Sequence, residues 1–203
     1  MDNGSILKRH SVAVSQCIRG PVCTTVMVMG LKNVGKSTVI QQLQKLSSGS
    51  FDDRRRKSES FVDFKGQLQF SEATQFPFKG LRKMAIKASE SFILVYSVDD
   101  EESFDYVTKL LSEIIAIKGE NVPLVVVANK IDKSPRDVHP IIADCVVTID
   151  FECKHKEVCA ATGDGMKEAL SCLLSFFSDG SQVADESTHK SSLKKRFSFL
   201  FRK

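Results

Sequence analysis

Apolar residues follow two rhythms along the chain, one of strands and one of helices. Val22-Cys-Thr-Thr-Val-Met-Val-Met29 is a short β-branched run between Pro21 and Gly30, and it predicts a buried strand. After a glycine-containing turn, Val39, Ile40, Leu43 and Leu46 recur at helical spacing and predict a helix over 37–46. The polar stretch 47–57 predicts a loop. Phe61, Phe64, Leu68 and Phe70 flank Lys65-Gly66 and predict a hairpin over 60–70. Residues 71–80, with Pro77, predict irregular chain, and 81–88 a short helix. Phe92–Val98 and Pro123–Ala128 are strongly apolar strands. Between them Phe104, Val107, Leu110, Leu111, Ile114 and Ile115 share one face of a helix over 103–117. A helix around 138–147, a short strand over 156–160 and a last helix over 164–177 complete the pattern.

Strands alternating with helices predict an α/β fold, a six-stranded and mostly parallel sheet with helices on both faces. Such sheets bind ligands at the carboxyl ends of their strands. A length of 203 residues suits one domain with tails. The organisation expected is an N-terminal arm over 1–20, a body over 21–178, and a linker and tail over 179–203. No apolar run reaches the roughly 18–20 residues of a membrane-spanning helix, and the polar segment Met1–Gly20 lacks the apolar stretch of a secretory signal.

The net charge of +4 is a property of the tail. His189–Lys203 holds six Lys or Arg and no acid, and removing those six leaves 23 basic against 25 acidic side chains. A basic end on a near-neutral body points to a membrane surface or an acidic partner, and nucleic-acid binding is not expected. The six cysteines form no Cys-x-x-Cys pair. Cys153, His155 and Cys159 are close in sequence, but they read better as strand and loop residues of a reduced intracellular protein than as a metal site.

Between the first strand and helix lies Gly30-Leu31-Lys32-Asn33-Val34-Gly35-Lys36-Ser37, followed by Thr38. A triphosphate needs many donors at short range, and backbone N–H groups at a helix start supply them. Gly30 and Gly35 permit a tight turn and close approach. Lys36 reaches the outer phosphates, and the Ser37 hydroxyl holds Mg2+. About ninety residues on, Asn129-Lys130-Ile131-Asp132 follows a strand end. The Asp132 carboxylate can accept two hydrogen bonds from one purine edge, and only guanine presents that donor pair. Asn129 braces the loops, and the Lys130 stem lies on the base face.

With these two motifs in place, Val22–Phe177 resembles the Ras superfamily of small GTPases. Phe92-Ile-Leu-Val-Tyr-Ser-Val98 is similar to that family's fourth strand, and Glu157-Val-Cys-Ala-Ala161 to its Glu-Thr-Ser-Ala-Lys motif. The resemblance implies GTP or GDP as ligand, with Cys159, Ala160 and Ala161 beside the base and the Ala160 N–H offered to the guanine oxygen. It also implies departures. Aligned with Asp-x-x-Gly-Gln, the chain has Ser71-Glu-Ala-Thr-Gln75, so Ser71 and Thr74 replace the Asp and Gly while Gln75 remains to orient water; a one-residue shift would instead bring Glu72 to the metal. No Thr lies between Thr38 and Thr74 to act as the first switch's Mg2+ ligand, and Ser58 and Ser60 are the candidate substitutes. Lys32 and Asn33 stand where most Ras proteins have Gly. The expectation is a guanine-nucleotide-binding regulator of signalling with slow or impaired hydrolysis, weakly held Mg2+ and a weakened switch. The alternative is a conventional GTPase cycling between GTP and GDP.

In the tail, Leu193, Phe197, Leu200 and Phe201 fall on one helical face, with Lys194, Lys195, Ser198 and Arg202 largely opposite. There is no prenylatable Cys near the end. This pattern over 190–203 suits an anionic bilayer, and so a cytoplasmic protein peripheral at the inner face of the plasma membrane. Calmodulin is a second candidate partner beside protein effectors, and Lys194-Lys-Arg196 a candidate nuclear-import signal. Ser58 and Ser198 follow basic residues as kinase targets do. The unlipidated basic tail and Phe151-Glu-Cys-Lys154 are similar to the Rad/Gem/Kir group, and the Leu94-Val-Tyr-Ser-Val98 strand and altered phosphate loop to the κB-Ras group.

Overall fold

The computed structural model describes residues 23–47, 67–73 and 78–178. Five strands, β1 (Cys23–Met29), β2 (Gln67–Ala73), β3 (Ser91–Ser97), β4 (Leu124–Asn129) and β5 (Lys154–Glu157), form one sheet in the order β2-β1-β3-β4-β5. Every pairing is parallel. Helices α1 (Lys36–Ser47), α2 (Lys79–Ala88), α3 (Glu101–Lys118), α4 (Pro140–Cys145) and α5 (Met166–Ser178) connect and flank them. β3 and β4 are buried at every position, which is why they read as continuous apolar runs. One face of the sheet packs Phe92, Leu94, Val126 and Ala128 against Val107, Leu111 and Ile114 of α3. The other packs Val26, Val28, Ile93 and Val127 against Val39 and Leu43 of α1 and Leu170 and Leu173 of α5.

The strand order reverses direction at β1, whose neighbours are β2 and β3. The crevice at that switch point is where open parallel sheets take their ligands, and the chain there runs into the glycine loop 30–35.

Three elements differ from expectation. The strand expected over 156–160 is β5, which begins two residues earlier and runs over Lys154–Glu157. Residues 71–73 are not irregular: β2 runs on to Ala73 in register with Met29. Ser71 and Glu72 read as loop because β2 is an edge strand, with exposed polar residues outside the apolar pair Leu68 and Phe70. The hairpin's earlier arm, expected as the sixth strand, lies outside the described residues. The helix expected over 138–147 is α4 alone, continued by a π-helical turn over Val146–Asp150 in which the Phe151 N–H donates to the Val146 carbonyl at 3.3 Å. α3 is the best-marked helix. Asp100 caps it by accepting from the Ser103 N–H at 3.1 Å, Glu101 and Glu102 lie in its first turn, and Gly119 ends it at φ 91°.

Candidate functional site

The phosphate-binding loop is packed too closely for side chains at its two glycines. Gly30 abuts the Val95 carbonyl of β3, and a Cβ there would collide with it. Gly35 adopts φ 93° and lies against Asn129 Nδ2, which a Cβ would also strike. Asn33 holds φ 63°, a conformation that Asn tolerates better than most residues. Val34 is fully buried, whereas Lys32 and Asn33 are exposed. The Lys36 stem is buried, and its ammonium donates to the Leu31 carbonyl at 2.5 Å. Burial lowers the Lys36 pKa, and the nearby Glu72 carboxylate opposes that shift.

Glu72 is the residue that β2 brings to this loop. Its Oε2 accepts from the Ser37 hydroxyl at 2.7 Å, and its Oε1 lies 3.8 Å from Lys36 Nζ. The Lys36 ammonium and the Ser37 hydroxyl thus face one carboxylate. Of the two registers open in the sequence, the geometry favours the one that sets Glu72 against Ser37. Ser37 and Glu72 both present hard oxygen atoms, the donor type Mg2+ takes, and would be the residues to hold it. Thr74, Gln75, Ser58 and Ser60 lie outside the described residues.

The base-recognition side is built around Asn129, the last residue of β4 and nearly inaccessible to solvent. Its Nδ2 donates to the Val34 carbonyl at 2.8 Å, and its Oδ1 accepts from the Ala160 N–H at 3.0 Å. One amide therefore joins the phosphate loop to the loop after β5. The expectation that the Ala160 N–H is offered to guanine differs from this arrangement, since that donor is already used by Asn129. Gln42 of α1 braces the same loop, its Nε2 donating to the Ala160 carbonyl at 3.1 Å.

Lys130 holds φ 64°, and its ammonium lies 3.9 Å from Asp99 Oδ1. Asp99 in turn accepts from the Ser97 hydroxyl, which is the first cause of its lowered pKa. Asp132 is exposed, accepts from the Cys159 thiol at 3.2 Å, and has its pKa lowered chiefly by that bond. Cys159 departs from the family's Ser but performs a donor's task. Arg136 closes the segment from outside, 2.8 Å from Glu157 Oε1. Ala161 and Thr38 are exposed beside these loops.

The remaining candidates near β5 have structural partners. His155 Nε2 lies 3.1 Å from the buried Tyr96 hydroxyl, and its Nδ1 3.0 Å from Asp144 Oδ1. The Cys153 thiol donates to the Phe151 carbonyl at 3.3 Å. Among the described residues, no cluster of three His, Cys, Asp or Glu side chains is arranged to hold a metal, and no helix is long and apolar enough to cross a membrane. The roles of Gln42, Ser97 and Arg136 carry no sequence signal, since each arises from a contact between segments distant along the chain or from a local side-chain turn.

The arrangement collects, at the carboxyl ends of a parallel sheet, a glycine loop with its Lys and Ser, the Glu72 carboxylate, and the Asn-Lys-x-Asp segment. A model of the Ras family matches residues 25–177. The chain is 30% identical over 184 residues to the GTP-binding protein Di-Ras1 of Mus musculus, which covers 84% of this chain and 90% of that protein. It is 28% identical over 188 residues to the GTP-binding protein Rhes of Mus musculus, covering 83% and 70%. With the GTP-binding protein Di-Ras2 of Pongo abelii it shares 30% over 163 residues, covering 73% and 79%. Motifs, fold and matched span agree, and the chain belongs to the Ras family of small GTP-binding proteins.

Proposed function

We propose that this chain is a guanine-nucleotide-binding regulator of signalling that holds GTP or GDP, hydrolyses GTP slowly and switches weakly between the two. The observation that carries the reading is the Ser37–Glu72 contact at 2.7 Å. Mg2+, when bound, bridges and neutralises phosphate oxygens. Ser37 and Glu72 would hold it from the body of the fold. With no Thr between Thr38 and Thr74, the first switch has only Ser58 or Ser60 to offer as a ligand, and its coupling to the γ-phosphate would be weak. In this reading Lys36 meets the outer phosphates and Asp132 accepts from the guanine edge.

Counting the family's Asp-x-x-Gly-Gln from Glu72 puts Gln75 at the Gly and Phe76 at the Gln. Gln75, expected from the other register to orient water, then loses that role, and Phe76 has no hydrogen-bonding group to take it. The exposed Lys32 side chain stands where a water or an arginine finger would approach. That finger contributes roughly 10³–10⁵ in rate where it operates.

Titration with fluorescent GDP and GTP analogues, with and without Mg2+, followed by single-turnover hydrolysis, tests the reading. Both nucleotides should bind, and hydrolysis should stay near the unassisted level, on the order of 10⁻⁴ s⁻¹. Turnover at rates typical of an activator-assisted Ras protein would sink the proposal.

The tail supports a peripheral role at an anionic membrane, the inner face of the plasma membrane, with protein effectors as the output and calmodulin as the competing tail partner. A peripheral pool unchanged by deletion of residues 190–203 would remove the membrane part of the reading.

A further inference from the structure

Two faces of the described surface expose several large apolar side chains. On α2 these are Phe78, Leu81 and Met84, which are 69%, 47% and 68% exposed. On α4 and its π-helical extension they are Ile141, Ile142 and Ile149, at 68%, 61% and 57%. Ala143 and Val147 turn inward and are fully buried. Ile141, Cys145 and Ile149 follow at successive four-residue steps on the outer side, with Ile142 beside them.

Charge separates the two faces. Residues 78–88 contain Lys79, Arg82, Lys83 and Lys87 and no acid, whereas residues 137–153 contain Asp137, Asp144, Asp150 and Glu152 and no Lys or Arg. The chain carries a segment that matches the second face in both respects. Residues 190–203 combine six basic side chains with the apolar stripe Leu193, Phe197, Leu200 and Phe201. The same segment would be repelled by α2.

The chain also leaves the fold at the right place. Lys154, at the start of β5, donates to the Ser175 hydroxyl at 2.6 Å and lies 4.8 Å from the Phe176 ring centroid. The preceding Cys153 N–H donates to the Val147 carbonyl at 3.0 Å. The last turn of α5 and the π turn are therefore both tied to the start of β5, and α5 ends only three residues past Ser175. The 14 residues 179–192 can span up to about 46–50 Å. The outer face from Pro140 to Asp150 is only about 16 Å long.

We propose that residues 193–203 dock back onto the α4 and π-turn face as a basic amphipathic segment, and that an anionic lipid surface competes for the same apolar stripe. A tether of this length gives an effective concentration of about millimolar, so a weak contact suffices. The fold then has an internal tail-bound state from which the membrane withdraws the tail. Only the lipid competition rests on the membrane reading above; the docking stands without it.

The test uses the full chain with Ser198→Cys and a short bismaleimide, with coupled cysteines mapped by mass spectrometry. Cys145 is a native exposed thiol on the proposed face. Position 198 should couple to Cys145 within one chain, at a yield independent of protein concentration and well above its yield with Cys17. Ile142→Asp should reduce that yield several-fold, as should Asp150→Lys combined with Glu152→Lys. The second variant alters only exposed charges, and it decides the matter should the first fail to fold. Bound phosphatidylserine–phosphatidylcholine vesicles should reduce the yield to a similar degree. Coupling that shows no preference for Cys145, survives charge reversal, or occurs only between chains overturns the docking. A yield unchanged by vesicles that do bind the protein overturns the lipid competition, while the cross-link pattern still decides the docking. Failure of the vesicles to bind would sink the membrane reading alone, with the cross-link still deciding the docking.

Discussion

The Cys159 thiol donates to Asp132 Oδ1 across 3.2 Å and is the first cause of that carboxyl's lowered pKa. The thiol orients the carboxylate proposed to read guanine and keeps it ionised below the ordinary carboxylate range. Cys159→Ala removes the donor from a buried position and frees the exposed Asp132 side chain to rotate. The bond orients the Asp132 carboxylate, and a thiol is a weak donor, so affinity for guanine nucleotides should fall by roughly several-fold. Cys159→Ser keeps a donor and should remain within about twofold of the parent. Competition titration against a fluorescent GDP analogue reads both. Equal losses in the two variants would show that packing at Cys159, and not its bond to Asp132, sets the affinity.

Glu72 makes the corresponding prediction at the phosphate end. Glu72→Gln keeps the length of the side chain and removes its charge from Ser37 and Lys36. Residues that support a metal site typically change its affinity by about 10–100-fold when replaced. Nucleotide release from the parent should accelerate on chelation of Mg2+, though less than in a GTPase that holds the metal tightly. In Glu72→Gln the ratio of rates with and without Mg2+ should move toward one. A ratio equal to the parent's would remove Glu72 from the metal's surroundings.

Asn129 joins the phosphate loop to the loop after β5 through the Val34 carbonyl and the Ala160 N–H. Asn129→Ala leaves the Val34 carbonyl and the Ala160 N–H facing a buried void. Leaving such groups unpaired costs about 1–3 kcal/mol each, so a loss of about 2–4 kcal/mol is expected. Urea unfolding of the nucleotide-free chain gives the number. Adding GDP should recover less stability than in the parent, because the pocket itself is loosened. A loss below about 0.5 kcal/mol would contradict the bracing role.

The sequence made the central strands and both nucleotide motifs legible, because each is a short contiguous pattern. β3 and β4 are buried on both faces and so cannot be hidden by alternation. Lys36 and Ser37 open α1 after the glycine loop, and Asn129 ends β4 with Asp132 just beyond it, so chain order alone places them. β2 was harder to read. Its outer residues Ser71 and Glu72 are exposed, so its polar composition resembles a loop, and only the contact of Glu72 with Ser37 separates the two as candidate metal partners. The Ala160 N–H shows a different limit. Its bond to Asn129 depends on how two loops separated by 31 positions meet, which no local pattern encodes. The same holds for the thiol of Cys159, which reads as a lost Ser in sequence and as a donor to Asp132 in space.

Tyr96 supplies a prediction in pH. It is buried in β3, its hydroxyl lies 3.1 Å from His155 Nε2, and His155 Nδ1 lies 3.0 Å from Asp144 Oδ1. Burial, with a smaller contribution from the Glu157 charge, raises the phenol pKa well above its ordinary value of 10.0. The folded state therefore keeps the phenol protonated where the unfolded chain would lose it. A raised acid contributes stability that is fully present below the unfolded pKa, and that stability declines as pH rises above it. The parent should lose stability steeply above about pH 10 as unfolded Tyr96 ionises. Tyr96→Phe removes this proton and the bond to His155, so it should be about 1 kcal/mol less stable at neutral pH. Its decline above pH 10 should be shallower, and the two stability curves should converge there. Urea unfolding from pH 7 to 11 measures both slopes, and parallel curves would show that Tyr96 ionisation does not govern the alkaline limb.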